Sequence, residues 1–385
     1  MEMLFKNNMI SMFSFLCAFL PLATSEIVST KYGDIEGLVT SYPNASGPFK
    51  SVSKFLGVPF AAPPVGELRL KAPVPPEGWK PNVLQATKHG NICWQGKFLE
   101  SYTKIFAPNF TYSEDCLYLD VYSPNVSQSL PVLFYIHGGT YEYGTALTYP
   151  SDLLALHGVV VVVIQYRLGP FGFFTTGDSA APGNYGMLDQ VQALKWVKEN
   201  IANFGGDPSK VTIAGVSAGA TSVSLHLMSP LSKGLFHQAI AESGVDLTPF
   251  AIQPVSSALR FANHLAEKLD CATNDHSAML ACILRQKDVD IQKASDTLPL
   301  GMSDNVRWGP VLDNHFLLDT PQNLREKGDF RKVNLMISFT SHEGAGAVGY
   351  MANKNFGMAE SVDNGASPSF FKKFVTNFAH SLNSR

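Results

Sequence analysis

The sequence predicts an α/β fold with a mostly parallel central sheet and helices on both faces. Three observations predict it. Short β-branched runs alternate along the chain with stretches of helical apolar spacing, as in strand–helix–strand units. One run, Val159 to Gln165, is nearly pure Val and Ile, the composition of a parallel strand covered on both sides. A Gly-x-Ser-x-Gly pentapeptide, Gly215 to Gly219, sits between a β-branched run and an apolar segment of helical length.

The elements follow in order. Lys6 gives a thin positive start, Met9 to Leu22 is apolar, and Ala23-Thr24-Ser25 offers small residues for cleavage. Residues 1–25 therefore read as a secretory signal, with one domain over 26–385. The apolar run is short for a membrane anchor, and no later segment is long and apolar enough to span a bilayer. Ile27 to Thr40, with Gly33 and Gly37, reads as an antiparallel hairpin. Phe55 to Pro64 reads as a rigid, turn-rich segment, and Arg69 follows in an apolar setting. Gly90 to Asp115 is irregular, and the last part of Glu114 to Tyr122 reads as a strand. Pro131 to Ile136 is another strand, running into His137-Gly138-Gly139-Thr140. Asp189 to Phe204 has helical spacing at Ala193, Val197, Ile201 and Phe204 and stops at Gly205-Gly206. Val211 to Ile213 leads into the pentapeptide, and Leu235 to Ser243 is a further strand. Ser256 to Cys282 reads as helical and polar-faced, a cap over a pocket. Val333 to Phe339 is a strand followed by Thr340-Ser341-His342-Glu343-Gly344, and Phe370 to Leu382 is an amphipathic helical stretch.

The strand and helix around the pentapeptide give it chemical meaning. A tight strand-to-helix turn crowds the backbone at Gly215 and Gly219, where only residues without a Cβ fit cheaply. The turn holds Ser217 at its tip with the hydroxyl exposed. The Ala218 N–H then lies at a helix N-terminus, where it can meet a developing negative charge.

Charge and cysteines narrow the function classes. The net charge of −3 shows no basic excess, so nothing supports nucleic-acid binding. Cys17 leaves with the signal, and Cys93, Cys116, Cys271 and Cys282 remain, an even set suited to an oxidising compartment. Three pairings are open; pairing nearest neighbours closes two compact loops. The spacings are not the Cys-x2-Cys pairs of a zinc site, and no metal or cofactor is expected. Sequons at Asn44, Asn109 and Asn125 fit a glycosylated, secreted protein.

Taken together these landmarks resemble the type-B carboxylesterase/cholinesterase family of α/β-hydrolases. The matching stretches are Phe55 to Pro64, Glu114 to Pro124, His137 to Gly139, Gly183 to Gln190, Gly205 to Pro208, the Ser217 turn, Glu242 to Gly244, and Glu343-Gly344. The resemblance implies an α/β-hydrolase fold, the disulfides Cys93–Cys116 and Cys271–Cys282, and buried ion pairs Arg69–Glu114 and Arg167–Asp189. It implies Ser217 as nucleophile, Glu343 as the triad acid, and the N–H groups of Gly139, Thr140 and Ala218 as oxyanion donors. His137 falls beside the oxyanion loop in a structural role. The sequence departs from the family where Thr140 replaces a glycine, Val216 a glutamate and Ala220 a glycine. Loss of that glutamate disfavours cationic esters.

The family's catalytic histidine lies far downstream of the acid. His380 is the only histidine beyond Glu343, and its neighbours do not match. The chain is thus expected to lack the family's C-terminal third, with the last sheet strands, and to leave the Val333 to Phe339 strand with an exposed apolar edge. The implied function is a secreted serine carboxylesterase acting on a small-molecule ester; oligomeric state is not legible. The alternative is a non-catalytic adhesion or binding protein on the same scaffold. A lipase would need an exposed apolar lid, and none is identifiable. Glycosidase treatment of the secreted chain is expected to lower its apparent mass through glycans at Asn44, Asn109 and Asn125; an unchanged mass contradicts the reading.

Overall fold

Alternation along one buried strand shows why the sheet lies in the middle of the molecule. Val160, Val162 and Ile164 face one apolar core, with Phe134 and Ile136 of the neighbouring strand. Val161 and Val163 face a second, smaller core with Ala155 and Leu156. Residues 24–97, 100–299 and 306–343 are described by the structure, a computed structural model. The signal segment up to Ala23, Gly344, and the Phe370 to Leu382 stretch with His380 lie outside the described residues.

The strands are β1 (Ser25–Thr30), β2 (Gly33–Ser41), β3 (Ser51–Pro59), β4 (Val83–Gln85), β5 (Ile92–Cys93), β6 (Tyr112–Ser113), β7 (Tyr118–Ser123), β8 (Leu130–Ile136), β9 (Val160–Ile164), β10 (Gly206–Val216), β11 (Gln238–Glu242) and β12 (Asn334–Ser338). Among the described residues the main sheet runs β1-β2-β3-β7-β9-β8-β10-β11-β12, with β4 beside β2. β1, β2, β3, β7 and β9 pair antiparallel in turn. From β9 through β8, β10 and β11 to β12 every pairing is parallel. This is the mostly parallel sheet of the α/β-hydrolase fold. The helices Gly169–Phe173, Tyr185–Asn200 and Ala218–Met228 bury their residues in the larger core. The short helix Asp152–Ala155 lies over β3, β7 and β9 on the other face. The chain order switches at β8, which has β9 on one side and β10 on the other. Such a switch leaves a crevice at the strands' C-terminal ends, where α/β proteins bind ligands.

Three expectations are corrected. Phe55 to Pro64 is not wholly turn: its first part belongs to β3, because Phe55 and Val58 fill the core. Gly57, at φ +70, takes up a register shift there and donates its N–H to Asp120 Oδ1 at 2.8 Å. The Asp189 helix begins earlier, at Tyr185, after Asn184 at φ +58. Asn184 is fixed by two hydrogen bonds with the Val311 backbone. Ser256 to Cys282 is two helices, Val255–Lys268 and His276–Leu284, with Asp275 capping the second through the Ser277 and Ala278 N–H groups.

Both disulfides form, Cys93–Cys116 and Cys271–Cys282. Arg69 pairs with both oxygens of Glu114 and donates to the carbonyls of Leu284 and Gln286, joining the β5–β7 region to the end of a helix. Such a cation also suits the negative end of that helix. Arg167 binds Asp189 through Nε at 2.8 Å and Nη2 at 2.7 Å, and its backbone N–H reaches the same carboxylate at 3.0 Å. Asp189 is wholly buried and Arg167 nearly so. Leaving one such charge alone typically costs about 3–5 kcal/mol. Asp189→Asn is accordingly expected to lower the unfolding free energy by about that amount in urea titration, and Arg167→Met with Asp189→Leu to recover part of it. A loss under about 1 kcal/mol for Asp189→Asn contradicts this account.

Candidate active site

Register aligns the strand ends that carry the candidate residues. Gly215 of β10 stands beside Ile136 of β8, and Val216 beside Glu242 of β11, which in turn stands beside Ser338 of β12. The loops leaving β8, β10, β11 and β12 therefore emerge together at one edge.

Ser217 has φ 56 and ψ −120, a sparsely populated conformation for a residue with a side chain. Such geometry costs of order 1–3 kcal/mol and persists only where the surroundings enforce it. Here the Ser217 N–H donates to Glu242 O at 2.8 Å, and its carbonyl accepts from Thr221 N–H at 2.9 Å. The crowding expected at both flanking glycines is present. A Cβ on Gly219 would lie 2.1 Å from Ile136 O, and one on Gly215 would lie 2.6 Å from the Gly219 carbonyl carbon. Ser217 is half-buried, and its hydroxyl has no hydrogen-bond partner among the described residues.

The loop after β8 lies against this turn. A Cβ on Gly138 would sit 3.1 Å from Ser217 Cβ. Gly139, Thr140 and Tyr141 all have positive φ, at +115, +54 and +62. Thr140 thus adopts the left-handed angle that its β-branch disfavours, and its hydroxyl donates to Gly139 O at 2.8 Å. Gly139 O also accepts the Glu142 and Tyr143 N–H groups, closing a tight turn. Among the described residues the N–H groups of Gly139, Thr140 and Ala218 donate to no acceptor. Gly139 and Thr140 are half-buried beside the serine. Three uncommitted donors next to a strained hydroxyl can stabilise negative charge on an oxygen added there.

Glu343 lies beyond β12, exposed. Its Oε1 accepts from the Ser243 hydroxyl and from the Thr340 N–H, both at 2.6 Å. These bonds, the hydroxyl's first, hold its carboxyl below the usual range and keep it ionised. Ser243, at φ 56, thereby ties the β11 loop to Glu343. A Cβ on the next residue, Gly244, would lie 2.4 Å from Ser217 O. The Ser243-Gly244 pair thus stands between the serine and the carboxylate.

No histidine among the described residues bonds Ser217 or Glu343. His137 is fully buried, stacked on Tyr166 at 4.5 Å, and its Nδ1 donates to Gly138 O at 2.8 Å. Burial pushes its pKa down to about 4. His226, equally buried, bridges Ser232 Oγ at 2.7 Å and Gln190 Oε1 at 2.9 Å, and burial pushes it down to about 3. Both are neutral packing groups at pH 7.

A half-buried ion pair escaped sequence reading. Glu142, in the loop after β8, binds the Arg307 side chain and accepts its backbone N–H at 2.8 Å. Partners 165 positions apart carry no local signal. Asn44 and Asn109 are exposed and Asn125 is half-buried. Among the described residues no group of three or more His, Cys, Asp or Glu is placed to hold a metal ion.

The family model described as Carboxylesterase family matches residues 24–383. The chain belongs to the carboxylesterase family. This carboxylesterase-family chain is 42% identical over 332 residues to the cocaine esterase of Homo sapiens, covering 83% of the chain and 57% of that protein. It is 42% identical over 329 residues to the pyrethroid hydrolase Ces2e of Rattus norvegicus, covering 83% and 56%. It is 40% identical over 340 residues to the liver carboxylesterase of Sus scrofa, covering 83% and 59%. It thus spans less than two thirds of the length of these relatives.

The two buried histidines make stability sensitive to acid. Their pKa is depressed in the folded state, so below about pH 6.5 the unfolded chain takes up protons that the folded chain refuses. Their stabilising contribution is complete above that pH and declines as pH falls toward 4 and 3. Between pH 7 and 5 each accounts for roughly 2 kcal/mol of lost stability. In denaturant titrations at the two pH values, His226→Gln is expected to make the drop shallower by about that amount. An unchanged drop contradicts the assignment.

Proposed function

We propose that this sequence belongs to a serine carboxylesterase that hydrolyses carboxylic esters through an acyl-enzyme. The observation that carries the reading is the strained Ser217, its hydroxyl free of partners, beside the uncommitted N–H groups of Gly139, Thr140 and Ala218. In this reading Ser217 Oγ bonds to the ester carbonyl carbon, and the carbonyl oxygen takes up negative charge against those donors. The alcohol leaves with a proton, and water then cleaves the acyl–serine ester. Glu343 orients the imidazole that passes the protons. Among the described residues His137 and His226 are committed elsewhere, and no histidine bonds Glu343. The relatives' names span cocaine, pyrethroid and acylcarnitine hydrolysis, so the shared chemistry, the carboxylic ester, is what is proposed.

Secretion belongs to the same proposal. It is supported by the signal-like N-terminus, two disulfides and three sequons. Among the described residues no helix is long and apolar enough to cross a membrane.

The test is hydrolysis of p-nitrophenyl butyrate by residues 26–385 and by a version extended with the family's histidine segment. Oxyanion donors and binding alone leave about 10³–10⁴-fold over water in serine enzymes, and a missing base costs roughly a million-fold. The extended version is expected to be fast and to lose turnover with Ser217→Ala. If residues 26–385 are already fast and both Ser217→Ala and His380→Ala abolish this, His380 is the base. If neither version outpaces buffer, the esterase reading fails and a binding role on this scaffold takes its place.

A further inference from the structure

We propose that Gln95 is a positioning residue for the oxyanion loop, holding it from behind through a two-point clamp on Gly144. The proposal rests on the esterase reading above.

Gln95 is 5% exposed and sits two residues past the disulfide-bonded Cys93. Its Oε1 accepts the Gly144 N–H at 2.9 Å. Its Nε2 donates to Gly144 O at 2.8 Å and to Cys93 O at 3.2 Å. One side-chain amide thus satisfies both backbone groups of Gly144. Among side chains of this length only glutamine carries both groups: an ionised carboxylate offers no donor, an ammonium no acceptor, and the asparagine amide sits one carbon nearer its backbone.

Gly144 is where the loop closes on itself. At φ +121 its backbone packs against the start of the loop; an added Cβ would lie 2.3 Å from Gly138 O and 2.5 Å from His137 Nδ1. At the other end, an added Cβ on Gly139 would lie 1.8 Å from Tyr143 O. Movement of Gly144 is therefore passed directly to Gly138 and Gly139. Three successive residues of this loop hold positive φ, including the β-branched Thr140 and the bulky Tyr141. Such a conformation relaxes unless its surroundings over-determine it. Gln95 supplies that constraint from a segment fixed covalently to Cys116. Without it, the Gly144 N–H and carbonyl are left buried and unpaired, and the loop moves to find other partners. The donors on Gly139 and Thr140 then leave the place where negative charge develops. Misplacement by about 1 Å can cost on the order of 100-fold in rate.

The test compares the full chain with its Gln95→Leu and Gln95→Glu variants. Leu keeps the bulk and removes both bonds. Glu keeps the acceptor for Gly144 N–H and guards against a Leu variant that fails to fold. Two quantities are measured: p-nitrophenyl butyrate kinetics corrected for buffer, and amide hydrogen exchange over 137–146. Where no base acts, residual hydrolysis reports the oxyanion donors directly. The expected result is a kcat lower by about 10- to 100-fold for Leu and less for Glu, with KM within about twofold. Exchange over 137–146 rises about tenfold, while β7 to β9 stays protected. Unchanged exchange over 137–146, or faster exchange there with unchanged kcat, overturns the proposal. So does a rise spread evenly over the chain, which marks a merely structural residue. If neither this chain nor its histidine-extended version outpaces buffer, the esterase reading fails, and the oxyanion role of Gln95 with it. A parent faster than buffer with unaltered variants sinks the Gln95 proposal alone.

Discussion

The carbonyl of Ile136 occupies the space where a side chain on Gly219 would be. The candidate site depends on that close approach. It lets the helix after Ser217 press against the end of β8, and it is possible only because Gly215 and Gly219 carry no Cβ. The strain at Ser217 is the local cost of so sharp a turn, and the hydrogen bond from its N–H to Glu242 keeps the turn from relaxing. With the turn fixed, the loop after β8 has a surface to lie against. The parallel register then brings β11 and β12 alongside, with Ser243 and Glu343 at their ends.

Charged groups frame this edge and leave the reacting centre itself uncharged. Arg167–Asp189 locks the β9 end to the helix Tyr185–Asn200, and Glu142–Arg307 holds the outer part of the loop after β8. Arg69–Glu114 braces the disulfide-bearing segment nearby. Burial raises the carboxyl pKa of Glu114 and Glu142, and their arginines work against that shift. Val216, next to the serine, adds no charge there.

Much of this was legible in the sequence. The valines of β9 and the Gly-x-Ser-x-Gly turn carry strong local signals, because a doubly covered strand and a Cβ-free turn each demand particular residues. β3 was partly misread because Gly57 and Pro59 look like turn residues; the glycine in fact serves a register shift within a strand. The break between Lys268 and His276 was missed because the apolar spacing runs on through it. Glu142–Arg307, Ser243 and Gln95 were invisible for another reason. Their roles come from partners far away in sequence or from a single backbone angle, and no local pattern marks an amide that will face a glycine 49 positions on.

β12 is the least supported of the strands that carry the site. Among the described residues it pairs only with β11, and Leu335, Met336 and Ile337 are exposed along it. Glu343 hangs from its end and reaches the rest of the site through one serine hydroxyl. Ser217 and the Gly139 and Thr140 N–H groups sit at the ends of deeply packed strands, and Glu343 follows the strand with the most exposed side chains. Fraying at this edge would detach the carboxylate while the serine turn and both cores stayed native. Catalytic competence would then be set by a local opening equilibrium, with a far smaller free energy than unfolding of the whole domain.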